Sequence, residues 1–311
     1  MAELVKRPCR QARYTAKKET KDREQRREQF ALEHKLLREA PDLHQSFRDS
    51  LVSLHGMLES FFSWFPDFTD HSILHSMDVL AFSNILARDY IDRLNAAECY
   101  VLIMACYLHD IGMGVSLKDF EIFRRKLRLK AWLEAHKKTN APNIIRAFHN
   151  ELSGLFLRKY SRLFDIPSED LLFAIIQVSR GHRKTDLYDE KEYPDIQTPS
   201  GMIHTAYLSA VIRLADELDV GADRNPEILF DTSTLTRQVD IDAFGTHESI
   251  RTVEILPDCV VLHCRPVEPR FVDLVEDLRG KLQETLDYCR DVAETRSDFR
   301  ITQKEVLVKY I

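Results

Sequence analysis

Histidine and aspartate recur along this chain at near-constant intervals. His75 precedes His109 by 34 residues. Asp110 precedes His149 by 39, His149 precedes His182 by 33, and His182 precedes Asp216 by 34. An interval of about 35 residues is roughly two helices with their turns. A chain that runs out and back over that distance returns each time to the same end of a bundle. Six side chains bearing imidazole nitrogen or carboxylate oxygen would then converge, which is how helix bundles build dinuclear metal sites.

The rest of the chain suits a helical frame. Only 9 Gly and 11 Pro in 311 residues leave little material for β-turns. Apolar residues make up 44% and charged residues 30%, as in ordinary globular proteins. Residues 17–48 read as one or two helices, charged at first, with a late apolar edge of Phe30, Leu32, Leu36 and Leu37. Leu51, Leu54, Leu58, Phe61, Phe62 and Phe65 form an apolar face over 49–64. Pro66 breaks that pattern, and Asp70 or Ser72 can cap the next helix. Helices are expected at 73–88 and 95–111, the second capped by Asn95 or Asp92 and ended by Gly112 and Gly114. Residues 115–141 are amphipathic and basic, a candidate lid. Pro142 begins a helix through His149 to about Tyr160, and 168–179 form another. Residues 183–200 read as a loop, and 203–218 as the last helix of the bundle.

The texture changes after Pro226. Residues 249–256 and 259–266 are β-rich and separated by Pro257-Asp258, a hairpin signal. A long amphipathic helix follows at 269–294, then a strand within 300–311. The expected architecture is mainly α. It comprises a basic helical extension (1–48), a helical domain (49–230) and a small C-terminal α+β subdomain (231–311).

Five segments carry a family pattern in order: His75-Ser76 opening a helix; Tyr107-Leu108-His109-Asp110-Ile111-Gly112; Arg146-Ala147-Phe148-His149; Arg180-Gly181-His182; and Leu214-Ala215-Asp216-Glu217-Leu218-Asp219. From about residue 65 to 230 the chain resembles the HD-domain phosphohydrolase superfamily. The resemblance implies that His75, His109, Asp110 and Asp216 hold one metal. It implies that His149 and His182 add ligands for a second, with Asp110 bridging both. The expected cofactors are two divalent ions among Mn, Fe, Mg, Co and Zn, since imidazole and carboxylate ligands suit all of them. The implied activity is hydrolysis of a phosphate ester by metal-activated hydroxide, with a nucleotide or short nucleic acid as substrate. The alternative is a non-catalytic HD-fold module for ligand sensing or interaction, and a third reading is oxygenase chemistry at a di-iron site.

Each residue also has a plainer reading. His182 follows Arg180-Gly181 at a helix end and could simply cap carbonyls. Asp216 could pair with Arg213. Arg146, three residues before His149 on one helix face, could hold a phosphate. His71, four residues before His75, reads either as a general acid for the leaving oxygen or as a loop residue without a role. Asp219 shares the face of Asp216 and could orient a ligand. Lys118, Arg183, Lys184 and Arg224 fall near the expected rim. The remaining seven histidines have no partner spacing and read as structural.

Six cysteines without a Cys-x-x-Cys pair, and an N-terminus without an apolar signal region, favour reduced thiols in a cytoplasmic protein. No apolar run reads as a membrane span. Neither a Walker loop nor a dinucleotide-binding glycine pattern is present. The oligomeric state stays open, with a homo-oligomer allowed. Net charge is −6, yet residues 1–30 hold ten Lys/Arg against five Asp/Glu. This arm could contact a polyanion or be a solvated helix exterior. If it recruits a polyanion, deleting residues 1–30 weakens oligonucleotide binding and flattens its salt dependence. Equal binding by both forms across a salt titration would leave the arm no such role.

Overall fold

The apolar stripes from residue 31 onwards become helices, and the charged faces between them turn to solvent. A computed structural model describes residues 30–58, 73–127, 129–136, 139–183, 185–222 and 238–311. The basic arm, the stripe residues Phe61, Phe62 and Phe65, Pro66, the expected caps Asp70 and Ser72, His71, Lys184, Arg224 and Pro226 lie outside the described residues. Among the described residues, eleven helices run in the order α1 (Ala31–Glu39), α2 (Pro41–Leu58), α3 (Ile73–Leu86), α4 (Ala96–Leu108), α5 (Leu117–Phe123) and α6 (Lys130–Ala135). They continue as α7 (Ala141–Tyr160), α8 (Glu169–Gly181), α9 (Thr205–Leu218), α10 (Gln238–Ser249) and α11 (Arg270–Arg296). The fold is mainly helical with a small C-terminal sheet, as the sequence predicts.

Helix α4 is the centre. All 13 of its residues are buried, and it packs against α1, α3 and α8. A helix apolar on every side must be surrounded by protein or lipid. Residues Ala96–Gly114 are in fact long and apolar enough to cross a membrane by length and composition, contrary to the sequence reading. Here that stretch is covered by the protein itself, with only Gly114 half-buried at its end. Asn95 sets the start of α4: its side chain accepts from the Glu98 amide at 3.0 Å, and Glu98 accepts from the Asn95 amide at 3.0 Å. This capping box satisfies two donors the helix cannot. Asn140 and Ser168 cap α7 and α8 with a single bond each, accepting from the amides of Asn143 and Leu171.

Leu32 and Leu36 of α1 are fully buried in the same core as α4. Helix α2 runs unbroken across the 48/49 division placed on the sequence. Its Ser46 and Ser50 hydroxyls donate to the carbonyls of Asp165 and Phe164, tying it to the turn after α7.

The 183–200 segment is not wholly a loop. Strands β1 (Ile196–Thr198) and β2 (Gly201–Ile203) pair antiparallel, with Ile196 opposite Ile203. Their three-residue length and flanking Pro194 and Pro199 hide them from a periodicity count, and Gly201 closes the turn at φ 122°. In the C-terminal part, β3 (Ile250–Ile255) and β4 (Cys259–Cys264) form the expected hairpin, and β5 (Glu305–Tyr310) joins β4 in parallel. The parallel pairing needs a crossover, which α11 supplies. Helix α11 also packs along α9, so the C-terminal part rests on the bundle.

Gly112 and Gly114 do not end α4 by a left-handed cap, because neither takes a positive φ. The helix stops at Leu108 and a 3-10 turn follows at Ile111–Gly114. Gly112 is there for room: a Cβ on it would lie 2.2 Å from the His149 carbonyl oxygen and 2.5 Å from the Ser153 amide nitrogen. These are backbone atoms of α7, so they cannot rotate away. Gly112→Ala is therefore expected to cost about 1–3 kcal/mol by overpacking. Urea unfolding checks this, and a midpoint within error of the parent would show that α7 yields freely.

Candidate metal centre

Every predicted ligand among the described residues sits where a helix begins, ends or breaks. His75 lies in the first turn of α3. His109 is the residue after the last of α4, and Asp110 follows at φ −99°, ψ 4°. That conformation lies in the bridge region where many active-site residues are found. His149 lies inside α7, but directly after Phe148, whose φ −125° and ψ 19° break the helix. His182 follows the last residue of α8, and Asp216 is in the last turn of α9. The recurring interval of about 35 residues thus brings the same end of several helices to one level.

The side chains form two groups joined by one carboxylate. His75, His109 and Asp216 make the first, and Asp110, His149 and His182 the second. In each group the candidate ligand atoms lie within 4.8 Å of one another, and each could hold a metal ion. The His75 Nε2 is 3.1 Å from the His109 Nε2 and 3.2 Å from Asp216 Oδ1. The His149 and His182 Nε2 atoms are 2.8 Å apart. Asp110 faces both groups. Its Oδ2 lies 3.5 Å from the His75 Nε2 and 3.4 Å from the His109 Nε2. Its Oδ1 lies 3.2 Å from the His149 Nε2 and 3.6 Å from the His182 Nε2.

The outward ring nitrogens decide the chemistry of the inward ones. The Nδ1 of His109 donates to the Cys106 carbonyl at 2.9 Å, that of His149 to the Arg146 carbonyl at 2.7 Å, and that of His182 to the Ser179 carbonyl at 2.5 Å. A carbonyl only accepts, so each Nδ1 carries a proton and each neutral ring presents an Nε2 lone pair inwards. His75 Nδ1 meets the Asp219 carboxylate at 2.5 Å, which has the same effect. Four inward lone pairs and two carboxylates at such distances repel one another unless a positive charge lies among them. The donor set, imidazole nitrogen with carboxylate oxygen, fits a divalent transition metal, and a histidine whose other nitrogen is held by an acceptor is the usual form of a metal ligand.

The titration behaviour has the same origin. Burial opposes charge on His109, yet Asp110 and Asp216 outweigh it and push its pKa up to about 9. Burial also opposes charge on Asp216, but its close contacts with His109 and His75 hold its carboxyl well below the usual range. His182 is pushed well below the usual imidazole value by burial and by the neighbouring His109 and His149. Without a metal, the cluster keeps a proton on His109 in a place suited to a cation. Metal uptake must release it, so apparent affinity rises with pH toward about 9.

The plainer readings resolve unevenly. His182 both caps a carbonyl and reaches the cluster, so its two readings were never exclusive. Arg213 does not pair with Asp216. Its Nε donates to the Gly181 carbonyl at 2.8 Å, and one terminal nitrogen donates to the Thr185 carbonyl at 2.9 Å. Arg146 is exposed one turn before His149, and its carbonyl holds that ring. Lys118 and Arg183 are exposed. Other histidines serve structure, as expected: His44 meets Glu33 at 3.1 Å and His204 meets Glu98 at 2.7 Å.

Sequence reasoning missed Ser153. Its hydroxyl accepts from the Gly112 amide at 2.8 Å and donates to the His109 carbonyl at 2.5 Å, fastening the turn that carries Asp110 to α7. The only signal was its position four residues after His149, one helical turn along the same face. The Asp219 contact was legible, since Asp219 lies three residues after Asp216. Asp219→Asn keeps the shape but exchanges a charged acceptor for a neutral amide. It is expected to weaken metal affinity by about 10–100-fold, read by competition with a chromophoric chelator. Unchanged affinity would make the contact a packing feature only.

Residues 65–297 match the family model HD-CE, an HD-type domain. The match runs past residue 230 and takes in β3, β4 and α11. No curated protein matches the chain. With well over half of its length covered, and the histidines and aspartates of the pattern drawn into one buried cluster, this chain belongs to the HD-CE family of HD-type domains.

Proposed function

We propose that the cluster holds two divalent metal ions and that the protein hydrolyses a phosphate ester, the substrate being a nucleotide or short nucleic acid. The observation that carries the reading is the placement of Asp110, one oxygen toward each of two groups that could each hold an ion. Bound ions of this kind supply Lewis acidity and an activated water near neutral pH. The protein contributes the rest. His75, His109 and Asp216 would hold one ion, and His149 and His182 the other, with Asp110 shared. The four outward hydrogen bonds fix the rings before any ion arrives, so little reorganisation is needed. Burial keeps Asp110 and the rings from solvent, which strengthens every charge interaction there. Arg146, exposed at the turn before His149, is suited to a non-reacting phosphate oxygen. His71 is retained as a candidate proton donor to the leaving oxygen on its sequence position alone.

Metal-free protein reconstituted anaerobically with Mn²⁺, Fe²⁺ or Co²⁺ should bind close to two ions per chain, and His149→Ala or His182→Ala should move this toward one. Asp110→Asn keeps volume but removes the shared charge. It should lower hydrolysis of bis(p-nitrophenyl) phosphate and nucleotides by at least about 10³-fold, or about 4 kcal/mol of transition-state stabilisation. Saturation at one ion with both histidine variants unchanged would refute the two-metal reading. Full metal and nucleotide binding without turnover would make the protein a ligand-sensing module instead.

A further inference from the structure

A cavity of about 440 Å³ opens beside the metal cluster, with His182 in its wall. The residue after α8, the loop at 185–186, α9 and α11 line it, and it is open to solvent. That volume lies in the lower part of the range used for small organic ligands. Its lining is unlike a phosphate site. Among the described lining residues, Asp186, Glu217 and Glu284 supply three carboxylates against one guanidinium, that of Arg213. Arg213 is 6% exposed and is committed to the frame through the Gly181 and Thr185 carbonyls, with its guanidinium carbon 5.0 Å from the Tyr288 ring centroid. The Tyr288 hydroxyl accepts from the Leu187 amide at 2.8 Å, so α11 also holds the loop that lines the cavity.

We propose that this cavity binds the nucleoside half of the substrate, and that it selects an amino-bearing base (adenine, guanine or cytosine) through acceptors that include Glu284 of α11. The inference rests on the phosphoesterase reading and deepens it. A phosphate at the metal cluster places the attached sugar and base within reach of the space beside His182. A second phosphate group there would meet the three carboxylates of the described lining. A base with an exocyclic amine offers two N–H donors to the carboxylates, whereas uracil offers only its ring N–H. Helix α11 is thereby part of the specificity apparatus, which accords with a family match that extends to residue 297.

The test uses the full chain loaded with Mn²⁺, with bis(p-nitrophenyl) phosphate as generic substrate and AMP, GMP, CMP, UMP and inorganic phosphate as competitive inhibitors. The amino-bearing monophosphates should inhibit at least about 10-fold more tightly than UMP. Glu284 is exposed on α11, so Glu284→Gln and Glu284→Lys should fold normally. Each should weaken AMP inhibition, Lys by about 10-fold or more, while generic hydrolysis and inhibition by phosphate stay within twofold. Equal inhibition by AMP and UMP, or AMP inhibition unmoved by Glu284→Lys, overturns the proposal. Loss of generic hydrolysis and AMP inhibition together in the variants also overturns it, because the residue would then act on the cluster. Should the parent protein hydrolyse nothing, the phosphoesterase reading fails by itself. Equilibrium dialysis of AMP against UMP, with and without Glu284→Lys, then decides the cavity on its own.

Discussion

The structure is organised around an electrostatic demand. Asp110 and four inward imidazole nitrogens are buried together, each nitrogen 3.2–3.6 Å from an Asp110 oxygen, with Asp216 completing the set. In low dielectric such a collection of acceptors is costly unless a positive charge answers it. In the absence of metal, a proton on His109 gives part of the answer, which is why burial fails to depress that ring. All other features of the site keep these groups in place against their mutual repulsion.

The means of holding them is the helix terminus. The last carbonyls of a helix have no partner within it. His109 and His182 follow the ends of α4 and α8 and take carbonyls three residues back, and the break at Phe148 allows His149 to do the same within α7. One interaction therefore satisfies an orphaned backbone group, fixes a ring and selects its tautomer. It also requires the helices to approach closely at that level. Gly112 lets the turn after α4 meet α7, and Gly181 lets the end of α8 meet α9, where a Cβ would stand 2.4 Å from the Ser209 Cβ. The glycines of the two motifs serve this contact rather than chain reversal.

These constraints explain what the sequence could and could not disclose. The helices around the cluster were legible because α7 and α8 carry periodicity and caps, α4 a cap and a continuous apolar run, and α9 an apolar stripe, and because the interval between ligand residues is a property of helical hairpins. Asn95 or Asp92 marked a helix start from residue identity alone, and Asn95 is the residue that caps it. The β1–β2 hairpin was not legible, since two three-residue strands leave no periodic trace. Nor was the placement of Arg213. A basic residue three positions from an aspartate suggests a local pair, but the helix aims it instead at carbonyls of the preceding segment, 28 and 32 residues earlier. The membrane-like hydropathy of Ala96–Gly114 misleads in the opposite direction, because composition cannot distinguish lipid from a surrounding bundle. Ser153 was missed because its role depends on which turn lies against α7, and that is decided by packing.

The relation between α4 and the cluster carries the argument one step further. Burying α4 on all sides gives the bundle a rigid apolar centre, and His109 and Asp110 extend from its end. Helical stability in a protein comes chiefly from such packing rather than from local preference. A repelling cluster is therefore tolerable at this position, where the apolar contacts of α1, α3 and α8 with α4 can offset its cost. Placed at the end of an exposed helix, the same residues would splay apart and lose the shared geometry. The fully apolar helix and the polar cluster at its tip are in that sense one device: the first fixes the position of the second, and the second gives a function to the precise end of the first.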